Sequence, residues 1–170
     1  MRYDDLFQWV QLGASLAAVV GVLFAAYQLY ETRRQAATSF EDQIAREYRD
    51  IARNLPLRVL LGEEVPTEEY EEALHTFHQY FELSNYQVFL RRRKRIRDDT
   101  WAEWREGILH TMRRPAFRRA WEEIKHRSPD SYPELFVFEI EAGAADPKSW
   151  PEGHVEKVNR RRLRGAGPGI

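Results

Sequence analysis

Residues 67–95 read TEEYEEALHTFHQYFELSNYQVFLRRRKR, and this stretch decides the fold. Pro66 and Thr67 open a helix, and Glu68, Glu69, Glu71 and Glu72 suit the positive end of its dipole. Tyr70, Phe77, Phe81, Ser84 and Val88 recur at helical spacing, which predicts one buried face over Thr67–Leu90. The run Arg91, Arg92, Arg93, Lys94 and Arg95, with Arg97 just beyond, follows where cations are favoured.

Toward the C-terminus the same reading repeats. Thr100 with Glu103 predicts a capping box, ahead of a stripe of Trp101, Trp104, Ile108 and Met112. Pro115 suits the first residue of the next helix, which would bury Phe117, Trp121 and Ile124. Pro133–Glu141 fits a short helix or strand, and its neighbours favour helix. From Gly143 onward Gly, Pro and charge predominate, so 143–170 reads as a disordered basic tail.

Toward the N-terminus an acidic linker, Glu63 to Pro66, precedes the helix, and Leu57–Leu61 forms a short apolar piece closed by Gly62. Pro56 ends a longer helix with a stripe of Phe40, Ile44, Tyr48, Ile51 and Leu55. Behind it lies LFQWVQLGASLAAVVGVLFAAYQLY, residues 6–30, without one charge. As a helix it spans roughly 37 Å at about 1.5 Å per residue, more than a ~30 Å hydrocarbon core. It is also longer than a signal-peptide core of about 7–15 residues. Arg33, Arg34, Arg46 and Arg49 follow it and only Arg2 precedes it, so the larger part is expected in the cytoplasm and the N-terminus outside, at the cell inner membrane. Gly13, Ala17, Gly21 and Ala25 form a ridge of small residues at four-residue spacing, which predicts self-association. The expected plan is all-α. A transmembrane helix (6–30) continues into a cytoplasmic bundle of about four to five helices (31–142), and a disordered tail (143–170) follows.

The string Tyr80-Phe81-Glu82-Leu83-Ser84-Asn85, with Val88-Phe89-Leu90, the basic run, Trp101, Trp104, Gly107, Ile108, Pro115 and Trp121, resembles a group of uncharacterised bacterial single-pass membrane proteins. The similarity covers about residues 20–140 and implies an anchor followed by a small helical domain. It brings no catalytic residues.

Composition excludes several chemistries. There is no cysteine, hence no disulfide, thiolate metal site or cysteine nucleophile. A net charge of −1 gives no global field for nucleic acid. No P-loop, nucleophile elbow or dinucleotide fingerprint occurs, and no cofactor is expected.

Three constellations remain. Glu71, His75, His78 and Glu82 share about 60° of the long helix and have the chemistry of metal ligands, though no second helix supplies matching ligands. No bound metal is expected. Arg105 with His110, and Arg119 with His126, match the Arg-x4–6-His spacing of HEPN-type ribonucleases, in which His serves as acid/base and Arg steadies phosphate charge. With 22 arginines and five histidines, about two such hits arise by chance. The run Arg91, Arg92, Arg93, Lys94, Arg95 and Arg97 suits lipid headgroups or nucleic acid, or else ion pairs with Glu63–Glu72; the pairing is the expectation. Trp101, Trp104 and Trp121 read as core.

The function expected is a membrane-anchored, self-associating interaction or regulatory module without catalytic activity. Its partners would be the lipid bilayer, further copies of the chain and a cytoplasmic protein. The alternatives are a pore-forming, defence-type membrane effector and a membrane-tethered HEPN-like ribonuclease.

Overall fold

The computed structural model describes residues 3–165; the side chains of 3–10, 12, 14, 16, 33, 34, 36, 37 and 165 fall outside that description. All regular structure among the described residues is helical: α1 (Tyr3–Arg53), α2 (Leu57–Leu61), α3 (Thr67–Arg92), α4 (Asp98–Met112), α5 (Pro115–Arg127), α6 (Pro133–Ile140), a 3-10 turn (Pro147–Ser149) and α7 (His154–Gly165). The chain divides into two compact units, residues 1–42 and 43–170.

The first unit consists of α1 residues. From Val19 to Tyr30 its large apolar side chains stand in the open, with Val22 70% and Tyr30 66% exposed. Among the described residues no helix is long and apolar enough to cross a membrane. Residues 6–30 are helical as part of α1, and of the span expected there the side chains at 6–10, 12, 14 and 16 lie outside the described residues.

In the second unit α3 is central, packing against α4, α5, α6 and the 3-10 turn, while α2 meets α5 and α6 meets α7. The face read from its sequence is the buried one: Tyr70, Phe77, Phe81, Ser84 and Val88 are all buried. Phe117 and Trp121 of α5 close on it, with ring centroids 4.8 Å apart for Tyr80–Phe117 and 5.0 Å for Phe81–Trp121. Of the α1 stripe Ile44, Ile51 and Leu55 are buried, whereas Tyr48 is 41% exposed.

Helix ends follow local chemistry. Pro56 stops α1, and α2 ends in a Schellman turn: Gly62 adopts φ 77°, its N–H donates to Val59 O and that of Glu63 to Arg58 O. Pro115 begins α5, as its ring allows. The N-terminus of α6 is capped from a distance. Asn85 Oδ1 on α3 accepts from the N–H groups of Glu134 and Leu135, both at 3.0 Å. That satisfies two donors a helix start otherwise leaves unpaired.

Two expectations are corrected. α4 opens at Asp98 rather than Thr100; Arg97 occupies the cap position without a side-chain cap, and Asp99 Oδ1 accepts from the Thr100 N–H instead. After α1, the stretch up to residue 142 holds five helices, α2 to α6. The tail is ordered through α7. Val155 is buried, Asn159 Nδ2 donates to Pro133 O, and the Arg162 guanidinium lies 3.6 Å from the Phe136 ring centroid. Composition missed this because a few well-placed contacts anchor the segment, rather than a continuous apolar stripe. Residues 166–170 lie outside the description.

Gly143 is where this tail turns onto the bundle. It sits at φ 62°, and a Cβ there would lie 2.9 Å from Leu109 Cδ1 and 3.1 Å from Phe138 Cζ. Gly143→Ala combines a strained backbone with overpacking, so a loss of about 1–3 kcal/mol is expected in urea unfolding.

Candidate functional site

The basic run ends α3 and turns back on itself. Lys94 takes the left-handed conformation at φ 57°, and the Arg95 N–H donates to Leu90 O. This turn brings the Ile96 carbonyl back to Arg91, the one fully buried cation of the run.

Arg91 is saturated. Its Nε and Nη2 grip Asp146 in a two-pronged pair at 2.8 and 2.5 Å, Nη2 also donates to Asp98 Oδ1 at 2.6 Å, and Nη1 donates to Ile96 O at 2.9 Å. Lys148 Nζ reaches the same Asp98 oxygen at 2.7 Å. The hydrogen bonds to Asp146 hold the Arg91 proton more tightly than usual despite burial. Burial pushes the Asp146 carboxyl up, but Arg91 and the Lys148 backbone N–H outweigh it and leave the carboxyl below its ordinary range. Hydrogen bonds from Lys148 and Arg91 lower Asp98 in the same sense. Arg92 pairs with Glu134 at 2.9 Å and Glu156 at 3.5 Å, tying α3 to α6 and α7.

Arg91 and Arg92 are paired, but not with the partners expected. Asp98, Glu134, Asp146 and Glu156 replace the expected Glu63–Glu72 stretch. Asp146 and Lys148 were missed because they lie in the segment read as disordered. One local signal marks the place: Asp146-Pro147 is a helix-start pair, and Asp146 Oδ1 does accept from the Lys148 N–H. Arg93 and Lys94 are exposed.

Beside this network a cleft of about 740 Å³ runs along α4, lined by Arg105, Glu106, His110, Arg113 and the network itself. It unites the first arginine–histidine pair. Arg105 Nε is committed to Gly143 O at 2.8 Å, and His110 is exposed. The second pair is divided in its roles: the Arg119 guanidinium stacks 3.8 Å from the Tyr70 ring centroid, while His126 is exposed on α5. Tyr70 donates to Glu123 at 2.9 Å, and burial followed by that carboxylate pushes its hydroxyl up to about 12.

No protein-family model, curated protein or solved structure matches this chain. The capability of each constellation rests on its own geometry. His75 and His78 are exposed, His78 Nδ1 lies 3.2 Å from the Tyr132 hydroxyl, and no group of three ligand side chains among the described residues could hold a metal. Trp101 and Trp121 are buried as core; Trp104 is half-buried. On α1, Gly13, Ala17, Gly21 and Ala25 are all exposed, and a Cβ added at Gly13 or Gly21 would meet nothing within 4 Å.

Proposed function

We propose that the chain is a membrane-anchored helical module that self-associates through α1 and acts by protein contact, without catalysis of its own. In this reading it sits at the inner membrane with the N-terminus outside and the domain cytoplasmic. The observation that carries it is the open apolar run on α1: from Val19 through Tyr30 the large side chains are more than half exposed. Water tolerates no such continuous surface, so lipid or another copy must cover it. The uncharged stretch 6–30 and the arginines behind it favour lipid with the positive side inward.

The ribonuclease reading has weaker support. Arg105 and His110 share a cleft, but the carboxylates of Asp98, Glu106 and Asp146 line it too and oppose a phosphodiester.

The open surroundings of Gly21 make the test clean, since a larger side chain there meets nothing within the chain itself. In lipid vesicles the full chain is expected to associate, Gly21→Ile to shift toward monomer, and Leu16→Phe to behave as the parent. Reporters fused at the two termini should place Met1 outside and Ile170 inside. Equal association of both variants, or a C-terminus outside, overturns the reading. A ring of six or more copies instead favours the pore.

A further inference from the structure

A second concavity, of about 330 Å³, lies within the second unit between the last turns of α1, the middle of α3 and α4. It differs in kind from the charged cleft. Tyr48, Tyr80, Trp104 and Ile108 give it aromatic and apolar walls, and Gly107 leaves its edge low, since a Cβ there would touch nothing within 4 Å. Its size falls at the lower end of small-molecule sites, roughly 300–1,000 Å³.

Its polar content is sparse and specific. Gln87 lines the groove and is 6% exposed, yet its carboxamide has no hydrogen-bond partner among the described residues. The amide is also not one of the sealed polar atoms of the interior, so it opens into the groove. Open to the groove, it is left to pair with water or with an occupant. Thr111 and Ser84 lie within hydrogen-bonding reach of the Tyr80 hydroxyl. The Gln87 amide is thus an unengaged polar group on a largely buried residue of the groove. Arg49 and Glu103 stand exposed at the rim, and neither forms an ion pair among the described residues.

These features define an occupant. Aromatic walls favour a flat ring. A carboxamide presents a donor and an acceptor side by side, the complement of an adenine edge, which glutamine can engage with two hydrogen bonds. An acyl chain would leave that amide unpaired. A cation at the mouth suits a phosphate, and the Glu103 carboxylate can accept from a ribose hydroxyl. We infer that this groove binds an adenine nucleotide, with the base against Tyr48, Tyr80 and Trp104, its edge on the Gln87 amide and its phosphate toward Arg49. The site would give an otherwise non-catalytic module a small-molecule input, and it does not depend on the anchor reading.

The test is calorimetric titration of the full chain in detergent with adenosine and, separately, with AMP. Both are expected to bind saturably, AMP more tightly and with the stronger salt dependence. Gln87→Leu, which nearly preserves volume, should weaken both by about tenfold, as loss of a paired buried amide implies. Tyr48→Ala, at a 41% exposed position that does not threaten folding, should weaken both as well. Arg49→Gln should remove the preference for AMP over adenosine. Thermal melts of each variant check that the fold persists. Absence of saturable binding of both probes overturns the inference, as does binding that survives both Gln87→Leu and Tyr48→Ala.

Discussion

Arg91→Met is expected to destabilise the second unit by about 1.5–3 kcal/mol, because it removes the buried guanidinium whose charge-assisted hydrogen bonds hold Asp146 and the Ile96 carbonyl. The arginine side chain is 3% exposed and serves Asp146, Asp98 and the Ile96 carbonyl at once. Methionine fills similar space but donates nothing. Asp146 then faces Asp98 with only Lys148 between them, at 3.8 and 2.7 Å respectively. Because Asp146 lies 55 residues along the chain, the loss should appear first as faster amide exchange in 143–165 and then as a lower urea midpoint. The effect depends on pH in a defined direction. Asp146 has a lowered native pKa, so its contribution is present above the unfolded value of about 3.9 and disappears as pH falls through the native one. The gap between parent and variant should therefore be full at pH 7 and narrow below about pH 4. A gap that stays constant into acid would show that packing, rather than the charge network, holds the tail.

Phe117→Ala is expected to cost more, about 3–5 kcal/mol, for a different reason. Phe117 is 1% exposed, and the rings of Phe77, Tyr80 and Phe81 approach it edge-on at 5.0, 4.8 and 6.3 Å between centroids. Truncation removes the shared partner of three α3 side chains and leaves a void that rigid helices cannot close. A fall in melting temperature of roughly 10–20 °C follows for a unit of this size. Tyr86→Ala, at a position 39% exposed, serves as the comparison and should move the midpoint little. Unlike the Arg91 effect, this one should change little from pH 7 into acid, since the clustered rings of Phe77, Tyr80, Phe81 and Phe117 carry no group that titrates in that range.

The candidate sites were legible unevenly. The Arg105 and His110 spacing does bring both residues to one cleft, but chance supplies such spacings in an arginine-rich chain, and Arg105 is held by the Gly143 carbonyl. The histidines of α3 share a stripe as their spacing requires, yet a stripe facing water has nothing opposite it to complete a metal site. Gln87 drew no notice in the sequence. A glutamine between Tyr86 and Val88 is ordinary until its neighbours bury it, and only then does its unpaired amide carry information.

Sequence by itself determined the helices up to residue 142 and most of their inward faces. Pro56, Gly62 and Pro115 punctuate the chain by backbone chemistry alone, and the Tyr70-to-Val88 face is buried because apolar period matches helical period. Both signals are local, so neighbouring residues suffice to read them. Tertiary structure alone decided where the charges go and whether the tail is ordered. Arg91 finds Asp146 across 55 residues, Arg92 finds Glu134 across 42, and Asn85 caps α6 across 49. Periodicity records which face avoids water. It carries no record of which distant group meets a polar side chain, because that depends on how packed helices bring remote stretches of the chain together.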